Sequence, residues 1–111
     1  WAHEFGSSLA DGAYGVTHDS YGNYVTVGII AGAMTGYAYA GNEDIAVASY
    51  TSSGTVRNIR TFGTNSLDRA YGTLTDSYGN IYITGVTEGV LPGASSSGYG
   101  DIFIIHTYGG N

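Results

Sequence analysis

The chain has 111 residues, enough for one modest domain, with 9 acidic against 3 basic residues and a formal net charge of −6. It contains no Cys, one Pro, 19 Gly and 11 Tyr, and its three bases are all Arg. Disulfide frameworks, thiolate metal sites and cysteine nucleophiles are therefore excluded, and nucleic acid or anionic membrane is disfavoured as a partner because each needs a basic footprint.

In chain order, Trp1–Phe5 reads as a short partial strand. Asp19-Ser20-Tyr21-Gly22-Asn23 has hairpin-turn chemistry: Asp or Ser bonds its own backbone, and Gly supplies a positive φ. The apolar run Tyr24–Met34 is broken by Thr26, Gly28 and Gly32 and is too short to span a bilayer, so no membrane insertion is expected. A flexible Gly-Ala-Met-Thr-Gly connector leads to a strand at Asp44–Tyr50, which turns at Thr51–Gly54 into Thr55–Phe62. Strands at Ala70–Thr75 and Ile81–Val86 then flank a second turn, Asp76–Asn80. A Gly/Ser-rich loop, Glu88–Gly100, precedes Asp101–Tyr108, a strand apolar enough to suggest burial on both faces. No helical periodicity occurs anywhere.

An ungapped repeat organises these elements. Setting Phe5–Gly54 against Phe62–Asn111, an offset of 57, gives 17 identities in 50 pairs. They include Ala13-Tyr14-Gly15 on Ala70-Tyr71-Gly72 and the two Asp-Ser-Tyr-Gly-Asn turns. A glycine ladder, Gly28, Gly32, Gly36 and Gly41, meets Gly85, Gly89, Gly93 and Gly98, and reads as turns and connectors. Each unit amounts to four short strands joined by turns, and such sheets in series are propeller blades. The expected fold is all-β: one domain of two four-stranded antiparallel blades of β-propeller type. Unit 1 runs over about 5–61 and unit 2 over about 62–111, plus a strand equivalent to 1–5.

The stretch Tyr71–Gly85 resembles the core of the bacterial β-propeller repeat family of surface and secreted proteins. Gly98–Ile105 is similar to that family's third strand, and Phe62-Gly63 to its strand-four exit. The resemblance implies a propeller fold and an extracellular or cell-surface location, with little said about activity. The chain departs from it where Val25 and Val27 replace the residue types of Tyr82 and Thr84. The family's basic residue late in strand three is Ser49 and His106 here, and its strand-four Trp is kept at Trp1 but is Asn58 in the other unit.

Two blades do not close a ring, and an isolated pair exposes sheet edges and faces. The repeat is cut so that a spare strand, Trp1–Phe5, comes first and a third strand, Asp101–Tyr108, comes last. The chain starts at Trp rather than Met, so it is expected to be processed or cut from something larger. Strand exchange between chains is the expected remedy: Trp1–Phe5 of one copy completes the blade holding Asp101–Tyr108 of another. Head-to-tail contact then gives a ring of three or four chains or, without closure, a filament. Trp1, Phe5, Ile102 and Ile104 are the expected assembly residues. Arg57 and Arg60 join them through a basic cluster facing acids of the adjacent unit, against the alternative that they decorate an exposed strand.

Recognisable chemistry is sparse. His18-Asp19-Ser20 has the residue types of a catalytic triad, but consecutive residues do not converge, and Thr75 replaces His18 in the second unit. His3, His18 and His106 occupy three different repeat positions, with no metal-ligand spacing. No cofactor, metal or catalytic role is expected. Glu43 and Asp44 form the densest acidic spot, a cation candidate set against a solvated loop face. Tyrosine suits glycan stacking and protein interfaces. Tyr37, Tyr39 and Tyr99 are the ligand candidates among the tyrosines that do not recur in the repeat as Tyr14/Tyr71 and Tyr21/Tyr78 do. Tyr37 and Tyr39 lie in the first unit's inter-strand loop, where the other unit has Ala94 and Ser96. The expected function is a non-enzymatic extracellular structural protein that self-assembles. A lectin-like, glycan-binding module is the alternative.

Overall fold

The computed structural model describes residues 1–108. Seven strands form two antiparallel sheets: β1 (Asp11–His18), β2 (Tyr24–Ile30), β3 (Asp44–Tyr50) and β4 (Val56–Phe62) in one, β5 (Asp68–Thr75), β6 (Asn80–Thr87) and β7 (Asp101–Tyr108) in the other. Each sheet is a meander in sequence order, and no described residue is helical.

Local chemistry accounts for the hairpins. Asp19 Oδ1 accepts the backbone N–H groups of Tyr21 at 2.9 Å and Asn23 at 3.0 Å. Asp76 does the same for Tyr78 and Asn80, at 2.9 and 3.0 Å. Gly22 and Gly79 supply φ of 82° and 85°, a region costly for any residue with a Cβ. Burial pushes the Asp19 carboxyl up, but hydrogen bonds from Asn23 and Tyr21 and the charge of Arg57 outweigh it and hold the group below the ordinary aspartate value. At Asp76 the Asn80 side-chain amide leads the lowering. A lowered folded-state pKa gives stability that is present above the unfolded value and lost as pH falls through the folded one. Urea midpoints should therefore drop on acidification through the carboxylate range. The drop should be smaller in Asp19→Asn, and equal slopes for the two proteins would show that this turn is not the acid-sensitive element.

Both first strands carry a register shift at the same repeat position, between Ala13 and Gly15 and between Ala70 and Gly72. The extra residues are Tyr14 and Tyr71, whose rings meet edge-on with centroids 5.4 Å apart. A bulge turns a side chain out of the ladder, and here it turns repeat mates toward each other where β1 and β5 run close.

The sheets stack face to face. Val25, Val27, Ile45 and Val47 of the first pack with Ala70, Ile81, Ile83, Leu91 and Phe103 of the second, with Phe62 and Ile105 at the margin. A smaller cluster, Ile30, Met34 and Ala46 with Phe5, Tyr39 and Ile59, lies on the far side of the first sheet. Strand β3 is thus covered on both faces and buried at every position.

Strand β7, its repeat mate, is not. Ile102 is 87% and Ile104 74% exposed, whereas Ile45 and Val47, their counterparts, are 0% and 4% exposed. The expectation of burial on both faces is corrected: only Phe103 and its side of β7 meet another sheet. Within a single chain Trp1–Phe5 pairs with no strand; the pairing expected of it is with another copy.

Candidate functional site

Strand β7 pairs only with β6, and among the described residues its outer edge has no partner. The sheet face beside that edge carries several exposed apolar side chains among polar ones. Register sets Leu74 opposite Tyr82 and Tyr82 opposite His106, with Thr84 opposite Ile104 and Val86 opposite Ile102. Leu74, Val86, Ile102 and Ile104 are all exposed. The Tyr82 and His106 rings stack at 5.2 Å. Sequence reading found Ile102 and Ile104 but missed Leu74 and Val86. The signal for Val86 was present, since it is the repeat mate of Ile29 in the run Tyr24–Met34. For Leu74 no signal existed, because Thr17 occupies its place in the first unit.

Trp1–Phe5 lies over the opposite end of the stack, across the first sheet. Trp1 Nε1 donates to the Ser52 carbonyl at 3.0 Å, and its ring sits 5.7 Å from Tyr50. His3 Nδ1 lies 3.0 Å from the Tyr50 hydroxyl. Phe5 packs on Ile30, Met34 and Ala46. Between this segment and the sheet opens a groove of ≈ 430 Å³ lined by Phe5, Ala13, Thr26, Ala46 and Tyr50, among others. Burial raises the Tyr50 hydroxyl pKa.

The arginines serve contacts inside the chain. Arg57 donates to Ser49 Oγ at 3.3 Å and lies 4.0 Å from Asp19, within the first sheet. Arg60 crosses to the second sheet, donating to Thr107 Oγ1, and Arg69 donates to Glu43 across the unit boundary. The Glu43 bond leads in raising the Arg69 pKa. The same boundary is fastened by the Asp68 N–H on the Glu43 carbonyl at 2.8 Å.

The remaining candidates do not converge. Asp44 is buried rather than on a solvated loop face. Its Oδ2 accepts the Ala40 N–H at 2.6 Å, and its Oδ1 has no hydrogen-bond partner. Burial leads in raising its pKa, the Ala40 bond opposes this, and the nearby Asp68 charge adds to it. Tyr39 donates its hydroxyl to the Asn42 carbonyl at 2.6 Å and is half-buried. Tyr37 is exposed, and Tyr99, at 98%, touches almost nothing. His18 Nδ1 lies 3.2 Å from the Asp19 carbonyl, while the Asp19 carboxylate is taken by its turn. Among the described residues no three His, Asp or Glu side chains cluster as metal ligands.

No protein-family model matches the chain, and no curated protein matches it.

Proposed function

We propose that this chain is a non-enzymatic, extracellular structural repeat protein of the bacterial β-propeller repeat type, whose sheets assemble head to tail into a ring or filament. The observation that carries the reading is the difference between repeat mates. Ile45 and Val47 are sealed against the second sheet, while Ile102 and Ile104 meet solvent beside a strand edge that is unpaired among the described residues. An exposed apolar sheet face with an open edge marks an association surface. The recurring carboxylates support a structural role. Asp11 and Asp68 bind the N–H groups of Ser7 and Thr64 at 2.7 and 2.6 Å. Asp101 binds the Ser97 N–H as Asp44 binds that of Ala40. A chain without Lys or Cys also suits protease-rich surroundings outside the cell.

Size-exclusion chromatography with light scattering tests the proposal. Assemblies of three or four chains, or polydisperse filaments, are expected. A stable monomer of 11.5 kDa at micromolar concentration would overturn it.

The near-complete exposure of Tyr99, with Tyr37 exposed in the equivalent loop of the other unit, favours a second reading as a glycan-binding module. A glycan array with signal at background, or signal unchanged in Tyr99→Ala, removes it.

A further inference from the structure

We infer that Trp1–Phe5 already sits where the outermost strand of a preceding sheet belongs, and that a second copy docks there in one register, its Ile104 opposite His3 and its Ile105 opposite Ala2. This rests on the self-assembly reading above and specifies its partner and geometry.

The internal junction between the two sheets provides the template. There, β4 leaves the first sheet, and the face it shares with β3 lies on the second. Arg60 on that face bonds Thr107. One repeat earlier, His3 contacts Tyr50 at 3.0 Å, and these are the mates of Arg60 and Thr107. Phe62 packs on a cluster containing Leu91 and Phe103, and Phe5 packs on one containing their mates Met34 and Ala46. The exit loops agree bond for bond. Ser7 N–H binds Asp11 Oδ2 and Leu9 N–H binds Ser7 Oγ, at 2.7 and 3.1 Å. Thr64 N–H binds Asp68 Oδ2 and Ser66 N–H binds Thr64 Oγ1, at 2.6 and 3.1 Å. Trp1–Phe5 therefore stands to β1–β3 as the end of β4 stands to β5–β7.

In the template, β4 pairs antiparallel with β3, Val47 opposite Arg60 and Ala48 opposite Ile59. Shifting each by one repeat sets Ile104 against His3 and Ile105 against Ala2. The parity of facing is consistent: His3 and Phe5 point to their own first sheet, and Ile102 and Ile104 of the incoming copy point the same way. Those isoleucines enter the groove of ≈ 430 Å³ beside Phe5 and Ala46. Alanine there, where the template has Phe103, leaves room for them. One docking event thus covers the apolar face and pairs the edge, and a second copy is the occupant because it carries both halves of the junction.

The natural absence of Cys makes the register testable. Ala2→Cys and Ile105→Cys chains are mixed under mild oxidation, as are His3→Cys and Ile104→Cys chains, two exposed positions that guard against a failed fold. Opposed Cα atoms in an antiparallel ladder lie about 4.5–5.5 Å apart, within disulfide reach. A two-residue slip, Ala2→Cys with Thr107→Cys, adds about 6.8 Å along the strand, beyond that reach. Mass spectrometry should find peptides linking positions 2 and 105, and 3 and 104, in about tenfold excess over the slipped pair. Assemblies by light scattering without these links, or with the slipped link dominant, would overturn the register and leave self-assembly standing. Chains that remain monomeric would overturn both.

Discussion

Replacing Ile104 with Glu should leave the chain folded and stop its assembly, whereas Val47→Glu, the same change at the repeat mate, should unfold it. Val47 is 4% exposed and pressed between two sheets, and Arg60, the cation opposite it, is already bonded to Thr107. Taking the new carboxylate out of water costs several kcal/mol even beside a cation, and the packing of Val47 in the core is lost as well, together a large share of the roughly 5–15 kcal/mol that stabilises a small domain. Ile104, at 74% exposed, has little to lose in the isolated chain, and surface changes of this kind stay within about 0.5 kcal/mol. In the assembly it loses the burial of an isoleucine, about 1.5–3 kcal/mol, and leaves a charge in an apolar seam. Association should weaken by at least about tenfold for each 1.4 kcal/mol. Circular dichroism in urea and light scattering read the two effects separately. A folded, fully assembled Ile104→Glu protein would show that the exposed face is not the contact.

The second large effect falls on glycine. Gly85→Ala should destabilise the fold by about 3 kcal/mol or more, and Gly98→Ala by almost nothing. A Cβ on Gly85 would overlap the Arg69 carbonyl oxygen and stand 2.9 Å from the Ala70 Cα; on Gly28 it would overlap the Gly12 carbonyl and stand 2.8 Å from the Ala13 Cα. These are backbone atoms held by the ladder beside the bulge, so the clash cannot be relieved by a side-chain rotation. At Gly98 nothing lies within 4 Å and φ is not left-handed. Thermal denaturation of the two variants provides the comparison. Equal midpoints would mean that the bulged first strand yields freely, contrary to its tight pairing.

These two sites mark how far the sequence could be read. The repeat offset, the Asp-Ser-Tyr-Gly-Asn turns and the strand positions were legible because they depend on segments alone: alternation, turn chemistry and glycine are local. The ladder reading of glycine succeeded at Gly36 and Gly93, which take φ of 89° and 80°. It misplaced Gly28 and Gly85, which lie inside β2 and β6 and are required by an approaching backbone rather than by a turn. Similarly, Glu43 and Asp44 look like one acidic spot, yet one bonds Arg69 across the unit boundary and the other is buried under its own loop. Adjacent residues in a strand entry point to opposite sides, and only the stacked sheets decide what each side meets.

Strand alternation and turn chemistry make this an all-β chain written twice, with isoleucine at both position 45 and position 102. That one is sealed and the other open, that the outer edge of β7 is unpaired among the described residues, and that Trp1–Phe5 lies across the first sheet all follow from how the sheets pack. The physical reason is that propensity and alternation belong to a segment, whereas burial belongs to the pair of surfaces that meet. Two copies of one pattern acquire different fates when one has a sheet on each side and the other has only one.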